Sequence, residues 1–344
     1  MQVQINDIKN RSIKIFEKAG LKKSDAEIIT EVLLETELRG VFTHGFMRLE
    51  RYIDCIRSGG IKTDGEYDIV FDSPSWASID GKDNLGIVVS YKAMQLAIKK
   101  AKETGVGIVN VKGSHHFGAA GYYTSMCADN DMVGMSMSNG DILIAATGIG
   151  EKTIGNNPFS YAFPADKYGK IVYDIAMSYT SDRKIVQMDK EGKQLPEGWI
   201  IDKDGKPTTD PGEYEKGGTL LPFGGYKGYG LAMMVETLAA TLSGAAMTKN
   251  VHAWNTDENN GGNVGHFFMA LDISKLGNPN DYKARVDGMI DEIKAAKKAE
   301  GFDKVYYPGE IEMEKMAKCK EAGFVEIMDE TMETVRQAEI KLGF

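Results

Sequence analysis

Two adjacent histidines, placed where an apolar run breaks into a loop, constrain this chain more than any other feature. The stretch from Val111 to Pro164 begins VKGSHHFGAAGYYTSMCADNDMVGMSMSNG and continues through TIGNNPFSYAFP. Gly107 to Val111 has the apolar, β-branched content of a strand. Small residues Gly118, Ala119 and Ala120 then open a helix through Ala128, and Met132 to Met137 reads as a second strand. Such a unit belongs to an open α/β sheet, where ligands collect at strand C-terminal ends because loops converge there and helix N-termini point at the bound group. His115 and His116 are two of the chain's five histidines, and imidazole is the side chain most easily poised to exchange a proton near neutral pH. Neighbours in extended backbone point to opposite sides. One of the pair is therefore expected to face the chemistry and the other to cap the loop or pack in the core.

Upstream, residues 5 to 57 read as helical. Ser24 followed by Glu27 has the spacing of a capping box, and Ile28, Ile29, Val32, Leu33 and Leu38 recur at helical intervals after it. Thr43 reads as a second N-cap. The segment THGFMRLERYIDCI would then place His44 and Arg48 on one helical face, with Leu49, Ile53 and Ile56 on the apolar one. An imidazole and a guanidinium so paired suit an anion; the plainer reading is a solvated surface pair.

Strand-like runs at Tyr67 to Phe71 and Ser75 to Ile79 precede a helix from Val88 to Thr104. Ile171 to Met177 reads as a buried strand, in which Asp174 needs a partner and is either a ligand group or a satisfied core carboxylate. Residues 182–222 are polar and punctuated by Pro and Gly, which points to a turn-rich excursion or small hairpin subdomain outside the core. LPFGGYKGYG follows, and its glycines with Lys227 ahead of an amphipathic helix form either an anion cradle or a tight turn. No strand is followed by GxGxxG and a later acidic residue, which argues against an ordinary Rossmann domain, and the P-loop pattern is missing too. His252 and His266 flank an Asn/Gly-rich loop and a further strand. A metal site combining one of them with His115, His116 and Asp257 has no HExxH to support it. Helices at 280–299, 310–321 and 329–341 close the sequence, with a short strand at FVEIMDE.

Composition bounds the partners. At 344 residues the chain can form one large or two moderate domains, and a net charge of −9 argues against a nucleic-acid backbone as ligand. It leaves room for a small anion held by a few local cations. Three widely spaced cysteines suggest neither a disulfide framework nor a thiolate zinc site. No run reaches the roughly 18 apolar residues of a membrane span, and the N-terminus lacks a signal-peptide core. A cytoplasmic protein is expected.

Taken together, THGFMRLERY near residue 43, GSHHFGAAGYY at 113, GNNPFSYAFP at 155, YDIAMS at 173, PEGWIIDKDGKPTTDP at 196 and LPFGGYKGYGLAMMVETL at 221 resemble the malate/L-lactate dehydrogenase family. Relatives in that family include sulfolactate and ureidoglycolate dehydrogenases and diketogulonate reductase. The resemblance implies an α/β fold with a non-Rossmann, mixed-sheet α/β/α core and a helical accessory domain. Residues 1–70, joined by 308–344, would form the helical part, and 71–307 the NAD(P)-binding part with its excursion at 182–222. It implies a homodimer that interconverts a small anionic 2-oxo acid and its 2-hydroxy acid with NAD or NADP, NAD being favoured. By position, His116 and His44 are the two candidate proton donors. Arg48 is the carboxylate anchor, with Thr43 beside it. Asn139, Asp174, Ile175, Ala176, Met177, Ser178, Lys227, Gly228, Pro308, Gly309 and Glu310 are the cofactor contacts, and no metal is implied. Arg183 and Met177 depart from the usual pattern, which leaves the choice of dinucleotide open. Two other readings stand beside this one: reduction of a cyclic imino acid, and a metal-dependent lyase or hydrolase using the histidine pair.

Overall fold

The computed structural model describes residues 1–344. Strand β1 (Gln2–Gln4) leads into helices α1 (Ile5–Lys18) and α2 (Lys23–Leu38), and two single 3₁₀ turns (Phe42–His44 and Phe46–Arg48) then precede α3 (Leu49–Ser58). Strands β2 (Asp68–Asp72) and β3 (Trp76–Asp80), helix α4 (Gly86–Thr104), strand β4 (Val106–Ser114), helix α5 (Ala120–Ala128) and strand β5 (Met132–Ser138) follow. Next are β6 (Ile142–Ile144), β7 (Ile154–Gly155), β8 (Phe159–Pro164), β9 (Lys170–Ile175), α6 (Asp182–Lys190), β10 (Ile200–Ile201), β11 (Pro207–Thr208), α7 (Gly212–Glu215) and β12 (Thr219–Leu220). The remainder is α8 (Tyr226–Glu236) running into a π turn (Thr237–Thr241), then β13 (Val264–Asp272), α9 (Pro279–Ala295), α10 (Glu310–Ala322), β14 (Phe324–Glu326) and α11 (Asp329–Leu342).

The main sheet has seven strands in the order β2-β3-β4-β13-β5-β8-β9. Only β3 and β4 run parallel; every other neighbouring pair is antiparallel. β13 therefore lies between the two strands of the histidine unit and pairs with both. Its alternation sorts the core: Phe268 packs with Met94, Val109 and Tyr123 beneath α4 and α5, whereas Phe267 packs with Met137, Ala239 and Leu220 on the opposite face. This is the expected non-Rossmann α/β/α arrangement with a mixed sheet. Helix α4 approaches the end of β4 so closely that a side chain on Gly86 would overlap the His115 carbonyl. A third core joins α1, α2 and α3 to β14 and α11, through Phe16, Leu33, Tyr52, Val325 and Val335.

Local differences from the sequence reading have identifiable causes. α2 starts one residue before Ser24, with Lys22 at the N-cap and no side-chain cap, so Ser24 is not a capping residue. Thr43 does not cap a continuous helix, because the backbone breaks at Gly45 (φ −87°, ψ −145°) and restarts as a second 3₁₀ turn. His44 and Arg48 thus do not share a helical face. Of the run from Ile171 to Met177 only Ile171, Val172 and Met177 are buried, because β9 is an edge strand. The polar stretch 182–222 takes the hairpin form of the two expected: β10 and β11 pair antiparallel and, with β12, join β6 and β7 in a five-stranded sheet, and α6 packs with them over Ile185, Leu195, Ile200 and Leu220.

Candidate active site

The ends of β4 and α2 deliver the site. Beyond Ser114, where β4 ends, both histidine rings meet Trp254, in different ways. His115 is fully buried, edge-on to Trp254 at 6.0 Å, and neither of its ring nitrogens has a partner. His116 stacks on the face of Trp254 (4.1 Å between centroids, 12° between planes), and its Nδ1 lies 2.6 Å from the Tyr52 hydroxyl. That leaves Nε2 as the nitrogen free to exchange a proton.

The helical layer brings the other half. His44 lies 5.6 Å from His116, the two rings stacked with nearly parallel planes (20°), and its Nδ1 is 2.9 Å from Thr43 Oγ1. Arg48 Nε donates to the Thr43 carbonyl (2.7 Å), Nη1 donates to Asn255 Oδ1 (3.2 Å), and its guanidinium carbon sits 5.5 Å above Trp254. Trp254 is held from behind by Arg51 Nε, which donates to its carbonyl at 2.6 Å. Desolvation, followed by positive charge at His44 and Arg48, keeps the His116 imidazolium well below the usual histidine range. Desolvation and then Arg48 lower His44 to about 4. Burial pushes the Tyr52 phenol up, so it stays protonated. Two neutral imidazoles and one cation therefore face a common space, an arrangement fit to take a proton beside a bound anion.

A second cluster forms where three motifs meet. Asn156 accepts the Met177 N–H with its carbonyl and the Ser178 N–H with its Oδ1, both at 2.9 Å, while Phe223 N–H donates to the Met177 carbonyl at 2.9 Å. Gly224 and Gly225 then adopt φ of +59° and +62°, a region L side chains avoid, and lead into the N-terminus of α8. Nothing stands within 4 Å of where a side chain on Gly225 or Gly230 would begin, whereas one on Gly228 would overlap the Phe223 carbonyl. Lys227 is exposed beside this open turn. Open glycine backbone and an unburied cation at a helix start suit a dinucleotide's phosphates.

A sequence profile described as malate/L-lactate dehydrogenase matches residues 3–336. The chain belongs to the malate/L-lactate dehydrogenase family. It is 40% identical over 339 residues to malate dehydrogenase of Pyrococcus abyssi, covering 96% of this chain and 92% of that one. It superposes on sulfolactate dehydrogenase from Methanocaldococcus jannaschii with a TM-score of 0.94 at 37% identity, covering 100% of this chain and 98% of that one. A more distant structure, delta1-piperideine-2-carboxylate reductase from Pseudomonas syringae, gives a TM-score of 0.87 at 25% identity over 98% of this chain and 99% of that one. Among other relatives one is named ureidoglycolate dehydrogenase (NAD(+)) and one (2R)-3-sulfolactate dehydrogenase (NADP(+)). Like its family, the chain is an oxidoreductase acting on the CH–OH group of 2-hydroxy acids.

Within this family member the expected cofactor positions fall into three groups. Lys227, Gly228 and the exposed Ala176 surround the open turn. Ile175, Met177 and Ser178 hold it in place: Ile175 pairs with Phe159, Met177 is a core residue, and Ser178 Oγ donates to the Thr180 carbonyl at 2.6 Å. Asp174, Pro308, Gly309 and Glu310 lie further along β9. There Asp174 accepts the Gly121 N–H at 2.6 Å, Gly309 packs against the Val172 carbonyl, and Glu310 is paired with Lys294 and Lys304.

Asn139 is spent inside the protein. Its Oδ1 accepts the Gly265 N–H (2.8 Å), and its Nδ2 donates to the Ala246 carbonyl (2.9 Å) and to Glu236 (3.3 Å). Buried Glu236 also accepts from Asn157 Nδ2 (2.7 Å) and the Thr248 N–H (2.9 Å), pinning the C-terminal end of α8 to the sheet. Glu236→Ala strands these donors and is expected to lower stability by about 3 kcal/mol, measured as a shift of the denaturation midpoint.

The remaining histidines leave the site alone. His266 is a satisfied core residue between Ser138 (2.9 Å) and Ser114 (2.7 Å), and His252 pairs with Asp257 at the surface (3.5 Å). No three His, Cys, Asp or Glu side chains converge as a metal would need. Sequence reasoning missed Tyr52, Trp254 and Asn255. Tyr52 was findable, four residues past Arg48 and so one turn along; nothing local marks Trp254, which arrives from 200 residues away by tertiary packing.

Proposed function

We propose that this protein reversibly reduces a small 2-oxo acid to its 2-hydroxy acid with NADH as the preferred partner. The observation that carries this reading is the convergence of His116, His44 and the Arg48 guanidinium on one space, walled by Trp254. The nicotinamide supplies or accepts the hydride. Arg48 anchors the substrate carboxylate through its guanidinium edge and so fixes which carbonyl face is presented. His116, oriented by Tyr52, exchanges the proton at the substrate oxygen through Nε2, and His44 is the alternative donor on the same space. Gly224 to Gly228, Lys227 and Ala176 would receive the dinucleotide. The two similar proteins named for malate and sulfolactate favour an oxo acid with a second acidic group. Arg183 lies against Met47 and 3.5 Å from Glu330, so its guanidinium is engaged by the helical layer. This supports NADH over NADPH. Three free cysteines fit a reducing cytoplasm, and the family resemblance supports a homodimer.

The test is the loss of nicotinamide absorbance with NADH and NADPH against oxaloacetate, sulfopyruvate, pyruvate and a cyclic imino acid. NADH turnover of an oxo acid is expected, fastest with oxaloacetate or sulfopyruvate. Turnover of the imino acid alone would move the protein to the imine-reductase reading, which the 25% identical reductase structure keeps in view. Absence of dinucleotide binding would refute the proposal.

A further inference from the structure

Beneath the turn that carries His44 and Arg48 lies an acid with no counter-ion. Glu37, near the end of α2, is 1% exposed and enters no salt bridge. Its Oε2 accepts the Phe46 N–H at 3.0 Å, and its Oε1 is buried without a partner. The 3₁₀ ladder explains why Phe46 needs an outside acceptor. His44 N–H donates to Val41, Gly45 N–H to Phe42 and Arg48 N–H to Gly45, so Phe46 is where one turn stops and the next begins. The Phe46 carbonyl is held as well, by Thr334 Oγ1 of α11 at 3.3 Å. A side chain on Gly45 would overlap Glu37 Oε2, and since the φ of Gly45 is negative, the requirement for glycine there is steric. The turn is wrapped around the carboxyl.

We propose that Glu37 is a positioning residue, a capping acceptor from nine residues upstream that fixes the turn bearing the Arg48 anchor and the spacing of that anchor from His44. It does for this 3₁₀ turn what a Ser or Asp side chain does at a helix start. An uncompensated buried charge is costly, and burial raises the Glu37 carboxyl to about 7, so the acceptor is easily held neutral. What the position demands is therefore an acceptor oxygen of the right reach. Charge is secondary.

The inference rests on the oxo-acid reading above, and wild-type turnover is the control that separates the two. If the wild type turns over no oxo acid, that reading fails first; if it does, three variants test Glu37. Glu37→Leu, which keeps volume and removes the acceptor, is expected to raise the oxo-acid KM by about tenfold or more while the NADH KM stays within about twofold. Glu37→Gln, which keeps an acceptor oxygen, should restore the oxo-acid KM to within about threefold of wild type. Gly45→Ala pushes against the same carboxyl from the other side and should reproduce the Leu pattern, which keeps the test valid if Glu37→Leu fails to fold. An unchanged oxo-acid KM in Gly45→Ala and Glu37→Leu, or a Gln variant as impaired as the Leu one, would overturn the proposal. So would parallel rises in both KM values, which signal general loss of structure.

Discussion

Replacing His116 with alanine is expected to lower kcat by roughly 10²- to 10⁴-fold, the range of a lost general acid–base group, while NADH binding persists. The geometry supports this assignment over His44. The Nδ1 of His116 is engaged by a phenol that burial keeps protonated, and its ring plane is fixed by the 4.1 Å stack on Trp254. Both constraints aim Nε2 without consuming it. His44, by contrast, is steadied by the hydroxyl of its own neighbour. If His44→Ala loses the activity and His116→Ala keeps it, the roles are reversed.

The pH dependence of the free protein gives a second reading of the same site. Burial and neighbouring positive charge hold His116 well below 6.5, so the imidazole is neutral at pH 7 and already able to accept a proton. For oxidation of the hydroxy acid, kcat/KM is then expected to stay level as pH falls from 8 past 6.5, and to decline only below that. For reduction, which needs the imidazolium, kcat/KM should rise over the same fall in pH. A loss of oxidation at or above pH 6.5 would show that the titrating group is not this histidine. Anionic substrate beside Arg48 offsets part of the positive field, so kcat, which reports the bound state, should titrate at higher pH than kcat/KM.

Arg48→Lys is the second large effect: the oxo-acid KM should rise by more than about tenfold, with the NADH KM unchanged. A guanidinium offers parallel donors in a planar fork, and here Nε and Nη1 are already tied to Thr43 and Asn255, so the plane is set before substrate arrives. An ammonium cannot hold both ties and still present two donors to a carboxylate. Equal effects on both KM values would remove Arg48 from the anchor role.

The histidine unit was legible because its information is local: β-branched runs, small residues at a helix start, and polar residues between them. Arg48 and His44 were also legible as chemistry, yet their placement was not. The sequence reads as a helix starting at a Thr43 N-cap and continuing through Gly45, and the break at Gly45 depends on Glu37, whose carboxyl occupies the space a side chain would need. Asn139 shows the converse. Its position in a familiar pattern marks a ligand contact, and what that pattern does not reveal is the structural work of its amide, which bonds to Gly265, Glu236 and Ala246. Helix α6 was hidden by its polar composition, Ile185 being its one buried residue.

The insertion of β13 between β4 and β5 also governs when the site can exist. On a ribosome, a chain extruded only to residue 263 has already released both strands of the histidine unit, but the strand that joins them has not appeared. β4 and β5 would each wait with one open edge, exposed to mispairing. The ladder closes only when His266 to Asp272 thread between partners made some 130 to 160 residues earlier. Such distant pairing is slow. The nascent protein therefore acquires its proton-handling geometry late, in nearly full-length chains, and a fragment cut short before β13 should carry both histidines yet never hold them in place.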